Sequence, residues 1–237
     1  MQPPAGAVRA GSGLPTQADA ARVLVVLDDA AAGAIVLELS AALAQALRRE
    51  LGLVYVESAQ ALVAAALPPT RVLSFGGAAW RPLSPDDVEQ GFRAQAARLR
   101  ETAARIAVRR EVRWSMRTVR GELALTVAGL AAETDLLLLA GALPGFEPRR
   151  AGASARVRRP VVAVLGSADD AGRRALEVAT RLAQSLAGVL DTVRVPPAHG
   201  GDAIRAAAAG CDLLVLPREG LDPRRLAGLR CPVLLVG

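Results

Sequence analysis

Two patterns of apolar residues alternate along the chain. Short runs that are apolar on both faces occur at Arg22 to Asp28 (RVLVVLD), Leu51 to Glu57 (LGLVYVE) and Thr134 to Gly141 (TDLLLLAG). They occur again at Arg159 to Gly166 (RPVVAVLG), Cys211 to Pro217 (CDLLVLP) and Cys231 to Gly237 (CPVLLVG). Runs of this kind suit strands buried in a parallel sheet. Helical periodicity fills the intervals. From Ala30 to Glu50, the residues Ile35, Leu39, Leu43 and Leu47 recur every four positions and form one stripe. The segment SPDDVEQGF starts another helix: Ser84 caps it, Pro85 suits its first turn, and Asp86, Asp87 and Glu89 complement the positive end of its dipole. Val88, Phe92, Leu99 and Ile106 carry its apolar face to about Val108. VRWSMRTVRG reads as a strand and ELALTVAGLAAE as a helix. After Gly166 comes an amphipathic helix with Leu176, Ala179, Leu182, Ala183 and Leu186 on one side, and GDAIRAAAAG forms a shorter helix ending at Gly210. Strands alternating with helices predict an α/β fold around a parallel sheet.

The pattern also repeats. RVLVVLDDAAAGAIVLELSAALAQAL corresponds to PVVAVLGSADDAGRRALEVATRLAQSL, which places Asp28 opposite Gly166. LAAETDLLLLAG corresponds to AAAAGCDLLVLP, which places Asp135 opposite Asp212. The second copy is shorter and lacks the counterpart of the Ser84 helix and the Trp114 strand. The organisation expected is a disordered tail over residues 1–21, a first domain over 22–158 and a shortened second domain over 159–237. Assigning Arg159 to Gly166 to the second copy leaves the first sheet one strand short, with an edge that needs cover. Packing of the two copies as an internal pseudo-dimer meets that need.

Composition narrows the chemistry. The chain has 237 residues, 52% of them apolar, and a formal charge of +6. It has no Lys and no Asn, so its cationic side chains are arginines, and an Ala-, Arg-, Gly- and Pro-rich composition is what a GC-rich coding sequence produces. Basic proteins attract polyanions, but a nucleic-acid binder usually adds aromatic stacking platforms or a reading motif, and only 3% of the residues are aromatic. The tail lacks the apolar core of a secretory signal, and the apolar runs are far shorter than the ~20 residues of a membrane helix. A cytoplasmic protein is expected. Cys211 and Cys231 make neither a disulfide framework nor a metal-ligand set.

The opening strand ending in Asp28, the long helix with LELSAALAQAL and the second strand LVYVES form one set of family-like features. VRGELALTVAGLAAETDLLLLAG and a late strand of the PVVAV or CPVLLV kind complete it. With these features the chain resembles the universal stress protein family in tandem form. The resemblance implies a Rossmann-like sheet in each half, with strand order 3-2-1-4-5, often paired through the last strand. It also implies an ATP-phosphate loop after the fourth strand. Such ligands bind at carboxyl strand ends where the strand order reverses, and glycines there let backbone N–H groups approach phosphate. The nucleotide-binding branch of the family spaces its loop as Gly, two others, Gly, nine others, Gly, then Ser or Thr. Here Gly141 is followed by three others, Gly145, six others, Gly152, Ala153 and Ser154. Every gap differs. Pro144 removes a backbone freedom and Glu147 adds a negative charge, which Arg149 and Arg150 offset. The loop is expected to be a degenerate site.

The resemblance also places an acidic residue near adenine and ribose at Asp28; capping of the following helix, shared with Asp29, is an equal reading. Gly166 replaces that acid in the second copy, and the loop beginning Arg218-Glu219-Gly220 lacks the glycine series, so no nucleotide is expected there. The family order makes the two cysteine-bearing strands neighbours, with both thiols expected at the sheet edge opposite the ligand and serving as packing.

His199 sits in a Pro- and Gly-rich turn with no nucleophile motif beside it, so no catalytic residue is assigned. G-x-G-x-x-G after the first strand and the P-loop motif are both missing. The arginines between Arg93 and Arg120 are expected on a solvated face, paired with Glu101 and Glu111. The sequence therefore predicts a non-enzymatic regulatory or interaction protein. It would have no resident cofactor or metal, an unidentified protein partner, a homo-oligomeric or internal pseudo-dimeric arrangement, and no membrane role. Its rivals are an ATP-binding sensor using the first domain alone and, more weakly, an Arg-rich nucleic-acid binder.

Overall fold

The computed structural model describes residues 22–28, 33–67, 71–73, 80–139, 161–166, 169–194, 200–219, 226, 229 and 231–237. Residues 1–21, Asp29, the loop bearing Gly141, Gly145, Gly152 and Ser154, and His199 lie outside them. The first elements in chain order are β1 (Arg22–Leu27), α1 (Gly33–Leu47), β2 (Glu50–Ser58), α2 (Ala59–Ala66), β3 (Arg71–Leu73) and β4 (Trp80–Pro82). Next come α3 (Pro85–Arg110), β5 (Trp114–Gly121), α4 (Leu123–Glu133), β6 (Leu136–Leu139) and β7 (Val161–Gly166). The chain then forms α5 (Asp170–Ser185), β8 (Val189–Arg194), α6 (Gly200–Gly210), β9 (Leu213–Pro217) and β10 (Val233–Val236).

The main sheet has eight strands in the order β5-β2-β1-β6-β10-β9-β7-β8, while β3 and β4 form a separate antiparallel pair. The α/β class and the mostly parallel sheet are those expected from the apolar runs. Within β5-β2-β1-β6 every pairing is parallel, as it is within β10-β9-β7-β8; the two sets meet at one antiparallel pairing, β6 with β10. The first set therefore departs from a self-contained 3-2-1-4-5 order. It holds four strands, and the place of a fifth beside β6 is taken by β10 from the chain's end. Segment 159–166 supplies β7, which pairs with β8 and β9 and not with β6. Among the described residues the second set has no counterpart of β5.

Period-two alternation explains the core. In β1, Val23, Val25 and Leu27 face one side, with Leu37 and Leu43 of α1, Leu99 of α3 and Leu182 of α5. Leu24 and Val26 face the other, with Val127 and Leu130 of α4 and Ile204 of α6. Both sides of the central strands are thus sealed, which is why their sequences are apolar without alternation. Gly52 of β2 lies opposite Leu24 of β1, and a Cβ there would overlap the Leu24 side chain. Helix α3 begins with a capping box: Asp87 N donates to Ser84 Oγ at 3.2 Å and Ser84 N donates to Asp87 Oδ2 at 3.1 Å.

Candidate functional site

The strand order reverses beside β1. From β1 the chain passes through α1 to β2 on one side; from β5 it passes through α4 to β6 on the other. Val26 pairs with Leu139, so β1 and β6 end side by side. This is the crevice where ligands of open α/β sheets bind. Asp28 follows the last residue of β1 and is half-buried at this carboxyl end. The structure therefore brings Asp28 to the end of β6, from which the Gly141 loop departs. Asp29, Gly141, Gly145, Gly152 and Ser154 lie outside the described residues, so of the six candidate site residues the structure locates Asp28.

The equivalent point in the second set lies between β7 and β9, and there the residues after β9 are engaged otherwise. The Arg218 guanidinium donates to the carbonyl oxygens of Ala131 and Thr134, the latter at 2.8 Å, at the carboxyl end of α4. One nitrogen, Nη1, serves both carbonyls, and its permanent charge suits a negative helix end. A Cβ on Gly237 would lie 2.6 Å from the Arg218 guanidinium carbon, so the glycine makes room for this clasp. The backbone reinforces it: Arg218 N donates to Val236 O at 2.7 Å and Gly237 N to Asp135 O at 2.8 Å. Glu219 pairs with Arg174 of α5 at 2.9 Å. Arg218 thus binds the second strand set to the first, while Glu219 is engaged within the second set.

The antiparallel seam has a further consequence. Val233 lies opposite Leu139, so the amino end of β10 is at the carboxyl end of β6. Cys231 and Cys211 precede β10 and β9, with their sulfurs 3.6 Å apart and both side chains buried. They stand on the same sheet edge as the β1–β6 crevice. This corrects the expectation that they lie on the edge opposite the ligand, which held only if both strand sets ran in the same direction. The shared hydrogen bond holds Cys211 below its ordinary thiol value, against the opposing pull of burial. The same bond, with burial and the nearby Cys211 charge, pushes Cys231 well above it. The pair releases its first proton more readily and its second with difficulty.

The opposite edge carries a cavity of about 350 Å³ between α5 and the amino end of β6. Its charges are matched: Arg49 pairs with Asp135 at 3.4 Å and Arg181 with Glu177 at 2.6 Å. It lies between the strand sets, with an ion pair of each set along its wall. Four arginines of α3 and β5 are ion-paired, with other partners than expected. Arg93 pairs with Glu89, Arg109 and Arg110 with Glu38, and Arg120 with Glu57 and Glu89. Among the described residues, Glu101 and Glu111 take no part in these pairs. These same residues contain no group of three or more His, Cys, Asp or Glu side chains that could hold a metal ion, and no helix long and apolar enough to cross a membrane.

No protein-family model matches the chain, and no curated protein does. Among solved structures the chain is similar to a universal stress protein from Archaeoglobus fulgidus DSM 4304, at 10% identity and a TM-score of 0.48, with 92% of this chain and 97% of that one covered. It is also similar to a protein from the universal stress protein family from Burkholderia pseudomallei, at 19% identity and a TM-score of 0.34, with 76% of this chain and 100% of that one covered.

Proposed function

We propose that this chain is a non-catalytic regulatory module built from two universal-stress-like halves fused into an internal pseudo-dimer, acting through a protein partner. The observation that carries the reading is the Arg218 clasp. In the second half, the segment that would hold phosphate instead caps α4 of the first half. An ATP site does not fit there. In the first half Asp28 stands at the carboxyl end of β1 beside the end of β6, but the glycine spacing in the sequence after β6 does not suit a convergent cradle. ATP is therefore at most a weak ligand of that half.

One observation favours the second reading, a nucleotide sensor using the first half alone: Asp28 stands at the carboxyl end of β1, beside the end of β6. Native mass spectrometry of the gently purified chain separates the two readings. The regulatory module predicts a monomer mass with no added nucleotide. A retained ATP or ADP mass overturns it in favour of the sensor.

A further inference from the structure

We infer that Cys211 and Cys231 are a modification site: a dithiol that peroxide converts reversibly to a disulfide, fastening β10 to β9. The inference does not depend on the nucleotide reading.

The geometry is that of a pair poised to close. The two cysteines are the only ones in the chain. Both are free thiols and their sulfurs are 3.6 Å apart. A disulfide needs about 2.05 Å, so the sulfurs must approach by roughly 1.5 Å in all. The flanking backbone is already in place. β9 and β10 are parallel neighbours with Leu214 opposite Val233, and Leu214 N donates to Pro232 O at 3.0 Å. Asp212, next to Cys211, holds β9 to β7: Val161 N donates to its Oδ2 at 2.8 Å, and its own N donates to Val161 O at 2.8 Å. Bond formation therefore moves two short side chains between anchored strands.

The chemistry balances with hydrogen peroxide as oxidant. The Cys211 sulfur, the more readily deprotonated of the pair, attacks one peroxide oxygen as a thiolate. The O–O bond breaks, hydroxide leaves, and Cys211 becomes a sulfenic acid. The Cys231 sulfur then attacks the Cys211 sulfur; the S–O bond breaks, and its oxygen leaves as water with the Cys231 proton. In total, two thiols and one peroxide give one disulfide and two waters. Sulfur loses two electrons and peroxide gains them. Both side chains are buried, and Ile204 and Ala208 of α6, with Leu226 and Leu229, share their apolar cluster. Small local openings of such segments admit a water-sized oxidant.

Packing alone also explains two buried small side chains, so the test must distinguish packing from redox chemistry. The reduced full chain is exposed under native conditions to a modest excess of hydrogen peroxide, quenched, unfolded and treated with N-ethylmaleimide. The expected product is a monomer lighter by two hydrogen atoms, carrying no maleimide, whose digest links the Cys211 and Cys231 peptides until dithiothreitol is added. Closing a loop of this length raises the melting temperature by about 6–12 °C, and the rise is absent in Cys231→Ser. The inference is overturned if both thiols remain alkylated, if a single sulfinic acid accumulates, or if the product is a disulfide between chains. A disulfide that leaves the melting temperature unchanged overturns the fastening role.

Discussion

Arg218→Ala tests the seam at its most concentrated point. The side chain is half-buried, and its guanidinium serves the carbonyls of Ala131 and Thr134 while lying against Gly237. A hydrogen bond from a charged donor contributes about 1.5–3 kcal/mol, and a cation at a helix carboxyl end adds about 0.3–1 kcal/mol. Water reaches a half-buried site and replaces part of this, so the expected destabilisation is about 2–4 kcal/mol. For a chain of this size that lowers the melting temperature by roughly 5–12 °C. Arg174→Ala provides the comparison. Its pair with Glu219 is exposed, with side-chain accessibilities of 49% and 63%, and solvent screening holds such a pair within about 0.5 kcal/mol. Arg218→Lys should fall between the two, because it keeps the cation at the helix end but places it on a shorter, more flexible stem. Urea unfolding followed by circular dichroism gives all three values. If Arg218→Ala loses no more than Arg174→Ala, the clasp does not hold the strand sets together.

Further predictions concern packing, capping and pH. Gly52→Ala drives a methyl group into Leu24, which is 2% exposed in β1. Overpacking of this kind costs about 1–3 kcal/mol, and a melting temperature equal to that of the parent chain refutes it. Ser84→Ala removes one arm of the α3 capping box and should cost about 1 kcal/mol, read from the denaturant midpoint. The cysteine pair gives stability an alkaline limit. Unfolded, both thiols titrate near pH 9; folded, Cys211 titrates below that value and Cys231 well above it. Just below pH 9 the folded form has lost more protons than the unfolded chain, so stability rises with pH. Above it the folded form keeps one proton more, so stability falls by about 1.4 kcal/mol per pH unit. Cys231→Ala removes the bond that holds Cys211 down and leaves only the burial that raises it, so the rise just below pH 9 should vanish; a rise that persists in the variant contradicts the coupling.

The central strands were legible because burial on both faces leaves its mark in the sequence: LLLL of β6 and VLLV of β10 could be nothing else. Helix α3 was legible from its start, where Ser84, Pro85 and Asp87 each have a local role. Three things were not legible. Strand β8 reads VLDTVR; as an edge strand it leaves Val189 47% exposed and tolerates Asp191, so no apolar run marks it. The direction of β10 against β6 has no local signature, since a strand apolar on both faces pairs either way, and that direction decides which edge the cysteines occupy. Arg218 is a single cation after a strand, and its partners lie more than eighty residues away. In α5, Leu176 belongs to the apolar stripe by spacing, yet it is 38% exposed while Ala175 is fully buried; the stripe is rotated by about one residue. Of the candidate site, the position of Asp28 at a switch point was readable from strand order, whereas the engagement of the second half's loop was not.

Calorimetric titration of the chain with ATP addresses the functional reading most directly. Losing one charge-assisted hydrogen bond costs roughly 1.5–3 kcal/mol, so two mis-aimed donors weaken binding by about two orders of magnitude or more. The account predicts a dissociation constant weaker than about 10 μM. A constant of about 10 μM or tighter, abolished by Gly145→Val and by Asp28→Ala but untouched by Gly166→Ala, would contradict it and establish the first half as a nucleotide sensor.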